Sequence, residues 1–484
     1  MNEPEIVCIG AGPACLSAAY ELSKTKDVLV LEANSEYVGG ISRTVNYKNF
    51  LFDIGGHRFF SKSQEINDFW QEILGDEMLT RPRKSRIYYG GKFYSYPLKP
   101  FEALFNLGAF ESLHCMASYL LRKVFPLKEP KNFQEWVSNQ FGDRLFSIFF
   151  QTYTEKVWGM KCTEISADWA AQRIKGLSLW NAISSALFPQ NKHNVKSLID
   201  SFKYPRKGPG QMWSATTEKI KQNGGRVWLG RKVIKLNYLP NVKKWEVVYI
   251  NPEGQEYSVL CKRVISSAPM GKLVENLTPK PTQKIIDCAK NLKYRDFLVV
   301  ALMVEDKNRF DDNWLYIHDP KVKVGRIQNF KSWSPDMVPD PTKNCYGLEY
   351  FCNEGDETWK LSDNELIELA KKEITQLEII DSAKIIDGCV VRQKKAYPVY
   401  DESYADRVAQ IREYVFENYP ELYLVGRNGM HKYNNQDHAM MTGLLTAENI
   451  IAGKKIYDVW CVNQDAEYHE EALKSGLRDV PQKV

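Results

Sequence analysis

The sequence predicts an α/β fold, and three features of its first 32 residues carry that prediction. Glu5–Ile9 (EIVCI) and Val28–Leu31 (VLVL) are short apolar runs rich in β-branched residues, the pattern of buried parallel strands. Between them, Gly10-Ala11-Gly12-Pro13-Ala14-Cys15 opens a helical pattern through Leu16, Ala19, Tyr20 and Leu22. An acid, Glu32, ends the second run 20 residues after Gly12. Strand, glycine turn, helix, strand and acid in that order form a Rossmann-like dinucleotide-binding unit. Gly10 permits the tight turn and Gly12 lets backbone approach a pyrophosphate. The helix N-terminus at Pro13 and Ala14 complements its charge. Glu32 is placed to accept hydrogen bonds from ribose hydroxyls. The third glycine of the pattern is replaced by Cys15, a small side chain that a slight opening of the unit accommodates.

Composition bounds the rest. At 484 residues the chain exceeds a single core, and 44% hydrophobic with 26% charged residues excludes wholesale disorder. Lys+Arg 65 against Asp+Glu 60 leaves +5, too slight an excess to imply nucleic-acid binding. The basic runs Arg81-Pro82-Arg83-Lys84 and Arg392-Gln393-Lys394-Lys395 read as solvated faces, with the drawing of an anionic substrate toward Tyr397 as the other reading of the second. Ten scattered cysteines without a C-x-x-C pair argue against a metal ribbon or a disulfide framework and suit a reducing cytosol, so no metal is expected. The start lacks a basic, cleavable leader, and the longest apolar run, Phe297 to Val304, is too short to span a bilayer. A cytoplasmic location is therefore expected. The 26 Tyr, 22 Phe and 12 Trp suit either a deep ligand pocket or a large core.

After Glu32 come Gly39-Gly40-Ile41-Ser42-Arg43-Thr44 and then Asp53-Ile54-Gly55-Gly56-His57. This E-x₆-G-G-x-x-R-T and D-x-G-G-H series resembles the FAD-binding front of the amine oxidase and protoporphyrinogen oxidase superfamily. The resemblance implies an FAD-binding, glutathione-reductase-type Rossmann-like domain with helical and mixed α+β insertions. Gly39, Gly40 and Arg43 would reach the pyrophosphate, while Gly55, Gly56 and His57 would face the flavin; apart from the motif, the other reading of His57 is a core or capping histidine. Later segments look like returns to the same domain. Gly224–Leu229 and Val233–Leu236 resemble the strand pair that contacts adenine through backbone at Val233. Val264–Pro269 follows as a strand end, and Leu422–Val425 runs into Gly426-Arg427-Asn428-Gly429 ahead of a helix from Ala439 to Ala452. The expected division is a discontinuous FAD domain (1–75, 216–275 and 401–464), a helix-rich substrate insertion (76–215), a mixed strand-rich substrate domain (276–400) and a polar tail (465–484).

A narrower resemblance runs in order along most of the chain, to the eukaryotic-type flavin-dependent UDP-galactopyranose mutases. It rests on the His57 loop, Tyr96-Pro97 and Tyr153-Thr154-Glu155-Lys156-Val157-Trp158-Gly159. Trp169 to Arg173, Phe202–Pro205 and Gly208–Trp213 continue it, and Trp314-Leu315-Tyr316, Arg326, Trp333-Ser334-Pro335 and Tyr397-Pro398 follow. Tyr433 and Asn435-Gln436-Asp437-His438 close the series. The resemblance implies a nucleotide-diphosphate sugar as substrate, UDP-linked, with galactofuranose and polysaccharide biosynthesis as the setting. Arg173 and Arg326 would clamp the diphosphate, as paired arginines can through bidentate hydrogen bonds; the other reading of either arginine alone is a surface ion pair. Tyr397 and Tyr433 would assist, and Tyr96, Lys99, Tyr153, Trp158, Tyr316 and Trp333 would line the substrate side, with packing as the other reading of Tyr316. Asn435, Gln436, Asp437, Gly426 and Arg427 would hold the cofactor. Catalysis would need reduced FAD, its N5 attacking the anomeric carbon to interconvert pyranose and furanose, with NAD(P)H as a candidate reductant.

The chain departs from that family at Leu98-Lys99, where an aromatic and an amide are usual, and at Trp333 and His431. Two other readings stay open. One is a flavin oxidase or desaturase acting on a large apolar substrate, which requires no diphosphate clamp. The other is a flavoprotein without catalytic activity.

Overall fold

Strands Ile6–Ile9 and Val28–Leu31 lie parallel, Ile6 beside Val28 and Ile9 beside Leu31. All eight residues are buried, as continuous apolar runs in a sheet covered on both faces must be. The computed structural model describes residues 3–96, 98–165, 167, 200–306, 310–380, 384–401 and 403–463. Pro97, Trp169, Arg173 and the tail 465–484 lie outside these residues.

Three further strands complete a parallel five-stranded sheet in the order Leu422–Leu424, Arg263–Ser266, Ile6–Ile9, Val28–Leu31, Arg226–Trp228. Segments far apart in the chain thus meet edge to edge. Helices Pro13–Ser23, Gln436–Ala452 and Pro209–Gln222 cover one face, around Leu16, Trp213 and Leu445. An antiparallel meander of Lys232–Leu239, Lys244–Ile250 and Glu256–Cys261 covers the other, around Leu236, Trp245 and Val264. The fold is α/β, as the opening motif predicts.

Two boundaries differ from the sequence reading. Helix Pro209–Gln222 starts seven residues before the expected return at 216, because Met212 and Trp213 belong to the apolar face laid on this core. The last helix starts at Gln436 rather than Ala439, since Asn435 caps it by accepting from the third helical N–H.

A seven-stranded sheet runs Ile385–Pro398, Tyr294–Glu305, Lys343–Cys352, Arg326–Asn329, Trp314–Ile317, Ser85–Tyr89, Lys92–Ser95. Tyr294–Glu305 contains the apolar run at Phe297 and sits between two antiparallel neighbours. The segment expected to be a helical insertion gives two strands to this sheet, Ser85–Tyr89 running parallel to Trp314–Ile317. Its helices, Pro100–Leu107, Ala109–Val124 and Phe133–Phe141, follow those strands. No helix among the described residues is long and apolar enough to cross a membrane.

Candidate functional site

At the head of helix Pro13–Ser23, two glycine turns are held together by backbone. Gly10 has φ +96°, and the Ala11 N–H that follows donates to Glu32 Oε2 at 2.6 Å. Asn34 N–H donates to the other oxygen, Oε1, at 2.8 Å, so the acid is aligned by main chain on both sides. Gly39 N–H donates to the Ala11 carbonyl at 2.7 Å, and a Cβ added at Gly40 would lie 3.6 Å from Gly12 Cα. Gly12 precedes Pro13 with no side-chain cap, and a Cβ on it would meet nothing within 4 Å. An uncapped helix N-terminus faces open space there, with its first N–H groups available to an anion. Cys15 takes the place of the third glycine by donating its thiol to the Ile9 carbonyl at 3.4 Å.

Arg43 is buried beside these turns. Its Nη1 donates to the Gly40 carbonyl at 3.1 Å and to Gln393 Oε1 at 2.8 Å, and its guanidinium lies 3.9 Å from the Tyr37 ring centroid. Its buried Nε has no hydrogen-bond partner among the described residues. Gly426 approaches the same helix: a Cβ there would lie 3.0 Å from Ala14 Cβ. Gln436 accepts from the Ser42 hydroxyl while its buried amide nitrogen has no partner among the described residues. Asp437 is buried one residue on, and Val233 is half-buried in the adjoining meander.

At the opposite end of this region is the loop Gly55-Gly56-His57. A Cβ at Gly56 would sit 3.1 Å from Gln328 Nε2 and 3.5 Å from the Trp333 ring, so the loop is pressed onto the seven-stranded sheet. His57 Nδ1 is buried and has no partner among the described residues. Burial pushes the imidazole pKa down to about 3, and the Arg427, Arg326 and Arg43 guanidiniums add to the effect. Cations from three separate segments therefore converge on one neutral histidine.

Arg326 gathers a second group of polar side chains. Its Nε donates to Glu349, whose side chain is fully buried, and its Nη2 donates to the Tyr397 hydroxyl at 3.3 Å. Burial works to lower the Arg326 pKa, but the Glu349 carboxylate outweighs it and holds the guanidinium well above its usual value. The Tyr397 ring stacks on Tyr433 at 5.7 Å, and Arg427 sits 5.5 and 5.2 Å from the two ring centroids. Carbonyl oxygens of Asn434 and Ala396 hold Arg427 in place, leaving its charge directed at the tyrosine pair.

A tyrosine wall continues from there. Tyr316 lies 4.7 Å from Tyr96 and edge-on to Tyr153 at 5.4 Å, and Tyr153 stacks on the buried His318 at 5.0 Å. Burial holds the Tyr153 phenol well above the usual tyrosine range. Tyr96 is partly exposed, with Arg83 5.7 Å from its ring centroid, and Lys99 is exposed as the N-cap of helix Pro100–Leu107. Leu98 packs into the apolar cluster under the helices with Leu104 and Leu107.

Two expected substrate residues are placed elsewhere. Trp333 is fully buried, its indole N–H donating to the Asn313 carbonyl at 2.9 Å and to Gln328 at 3.0 Å. It backs the His57 loop instead of lining the cleft. Trp158 packs toward Phe133, Phe146 and Cys162. Five residues after Tyr153, at about 100° per residue, it faces a different side of its helix.

Several residues escaped the sequence reading. Glu349 and Gln328 brace Arg326 and the His57 loop, Gln328 Nε2 donating to Glu349 Oε1 at 2.8 Å. Gln393 holds Arg43. Lys156 donates to three carbonyls, of Ile317, Asp319 and Val324, at 3.2, 2.7 and 3.1 Å, pinning the helix that carries Tyr153. Burial pushes its pKa down to about 8. Glu349 left a legible signal, a lone acid inside the apolar strand KNCYGLEYFC.

The family pattern of flavin containing amine oxidoreductases matches residues 14–451. The chain belongs to that family. Among its relatives, a probable UDP-galactopyranose mutase of Klebsiella pneumoniae is 22% identical over 176 residues, covering 35% of this chain and 44% of the relative. The match thus spans less than half of that relative's length. A crystal structure of reduced UDP-galactopyranose mutase superposes with a TM-score of 0.81 at 22% identity, over 96% of this chain and 97% of the other. A putative protoporphyrinogen oxidase from Exiguobacterium sp. 255-15 gives 0.70 at 16% identity, over 94% and 100%. At these identities the likeness is one of fold.

Membership in the flavin containing amine oxidoreductases makes this a flavin-dependent enzyme fold, and the residues present fit the cofactor. An uncapped helix N-terminus, the open space at Gly12 and the polar atoms of Arg43, His57 and Gln436 without partners among the described residues are what such a cofactor would meet. Unshared buried polar groups are costly unless a ligand meets them.

Proposed function

We propose that this flavoenzyme is a nucleotide-sugar mutase of the UDP-galactopyranose mutase kind, interconverting pyranose and furanose forms with FAD in its reduced state. The observation that carries this reading is the Arg326–Tyr397–Tyr433–Arg427 constellation next to His57. Such a cluster is suited to a dianionic diphosphate and unsuited to a purely apolar substrate.

The bound cofactor supplies the nucleophile for displacement at the anomeric carbon, with no net change in oxidation state over the cycle. The chain supplies binding and charge. Glu32, Gly12, Arg43 and Gln436 hold the dinucleotide; Val233, Asn435 and Asp437 are assigned to it by resemblance. Arg326, fixed in orientation by Glu349, and the hydroxyls of Tyr397 and Tyr433 stabilise the departing diphosphate as its charge develops. Arg173 completes the clamp on sequence grounds, although it lies outside the described residues. His57, neutral at working pH, offers a hydrogen bond at the reactive edge without adding charge. The walls formed by Tyr153, Tyr316 and Tyr96 hold the sugar and base.

The test is anaerobic incubation of dithionite-reduced protein with UDP-, dTDP- and GDP-sugars, separating pyranose from furanose products. Turnover is expected only in the reduced state, and Arg326→Ala should lower kcat/KM by several kcal/mol, about 2–4 in order of magnitude. Product formation by the oxidised protein with consumption of oxygen would overturn the proposal. That outcome belongs to the second reading, an FAD-dependent oxidoreductase of the amine oxidase type, reduced or not by NAD(P)H. One observation favours it: Leu98 is packed under the helices rather than presented to a base, so the usual uridine-stacking position is absent.

A further inference from the structure

Helix Ala109–Val124 is turned the wrong way out for a soluble surface. Its buried residues are Cys115 and Tyr119, while Phe110, Leu113, Leu121 and Val124 are 86%, 71%, 61% and 67% exposed. The preceding helix, Pro100–Leu107, adds Phe105 at 87%, and Phe125 follows at 70%. Positions 110, 113, 121 and 124 recur at helical spacing, so they form one stripe rather than scattered exposures. Isolated apolar residues on a surface need no explanation, but a contiguous stripe of this size marks an interaction site.

The charges around it select the occupant. Lys99 is the N-cap of the first helix, Lys123 lies in the last turn of the second, and Lys128 and Lys131 follow it, all four exposed. Of the acids of the segment, Glu102 accepts from Ser95 and Glu111 pairs with Arg144, while Glu129 is exposed between Lys128 and Lys131 and leaves the lysines in excess. A second copy carrying the same four lysines against the single exposed acid Glu129 would meet them with a net like charge. An anionic headgroup layer meets them directly, and phenylalanines with leucines are the side chains that enter the acyl boundary. Neither helix crosses a bilayer.

We propose that this helix pair is an in-plane docking face for an anionic lipid surface. The apolar stripe enters the acyl boundary while the lysines engage headgroups. The first helix begins directly after Tyr96–Lys99, so the face adjoins the rim of the tyrosine wall. The exposure and charge of this face are independent of any sugar chemistry in the cleft.

The test is co-sedimentation of the full, flavin-loaded chain with phosphatidylcholine vesicles, with and without about 30% phosphatidylglycerol. Binding is expected only with the anionic vesicles and should weaken as salt rises. The variant F110E/L121E should lower it at least tenfold with an unchanged melting temperature, because both side chains are already in solvent. K123E/K128E, which leaves the stripe intact, should abolish the preference for anionic vesicles. The proposal is overturned if the native chain ignores both vesicle types, or if F110E/L121E binds as the native chain does. Light scattering identifies the alternative occupant: a native dimer that F110E/L121E converts to monomer, without vesicle binding, assigns the stripe to a second copy.

Discussion

Arg326 shows how a single side chain depends on its neighbours. It is one-fifth exposed and paired with a carboxylate that is wholly buried. Removing the partner strands a charge, whereas removing both charges removes the problem. Glu349→Gln is therefore expected to destabilise the fold by about 1–3 kcal/mol, a range reduced from that of a fully buried pair because Arg326 is partly solvated. The double variant R326M/E349L should recover most of the loss in denaturant unfolding. If the single and double variants lose the same amount, the pair is not what holds this region. The same scale governs Trp333. In sequence it stands at a position matched to a substrate-side residue, but its indole N–H is used by Asn313 and Gln328.

At the scale of elements, two contacts set the site. Helices Pro13–Ser23 and Gln436–Ala452 meet so closely that a Cβ at Gly443 would lie 2.0 Å from the Ala14 carbonyl oxygen. This contact brings the third segment of the candidate cofactor site onto the first. Gly443→Ala must push the helices apart and is expected to cost about 1–3 kcal/mol. Because the candidate cofactor site spans both helices, the fraction of flavin retained after desalting should fall as well. Unchanged stability with full retention would show that the helices move freely. The second contact is Lys156, which ties helix Thr152–Trp158 to the end of strand Trp314–Ile317 and to Val324, just ahead of strand Arg326–Asn329. Lys156→Met keeps the stem but leaves three carbonyls without their donor, a loss of about 1–3 kcal/mol. Hydrogen exchange in residues 152–158 should rise by at least tenfold; exchange at the native rate would rule out the anchoring role.

For the whole molecule, the distribution of buried titratable groups sets an acid limit. His57, His318 and His431 are held neutral, with pKa values pushed down to about 3, 3 and 4 from 6.5, in each case chiefly by burial. A depressed pKa gives stability that is present above the unfolded value and lost as pH falls toward the folded one. Asp53 acts in the opposite direction: burial raises it from 3.8 to about 8, against hydrogen bonds from Tyr204 and Thr44, so its contribution declines as pH rises through that window. Between about pH 4 and 5.5, three histidines outweigh one aspartate. Stability should fall on acidification by roughly 2–3 kcal/mol per pH unit, at about 1.4 kcal/mol per net proton. Unfolding free energies measured across that range check the sign, and Asp53→Asn should steepen the acid loss. A flat profile would mean that the histidines are protonated in the fold.

The sequence by itself determined the dinucleotide-binding unit and hence the α/β class. Gly10, Gly12, Glu32 and the flanking strands are contiguous, and their requirement is local: backbone room, an N-terminus and an acid at a set distance. It also ordered the later segments, because Arg326, Tyr397 and Tyr433 sit in motifs that keep their sequence. Only the tertiary structure decided what those residues do to one another. Glu349 and Arg326 face across neighbouring strands, Gln393 reaches Arg43, and Arg427, Arg326 and Arg43 act together on His57. Separations of tens to hundreds of residues carry no local signal of such contacts. The same limit applies to helix Ala109–Val124. Its apolar spacing predicts an amphipathic helix, but periodicity gives the existence of an apolar face and not the side that the rest of the molecule covers. That choice is made by packing, which here buries Cys115 and Tyr119 and leaves the phenylalanines and leucines outward.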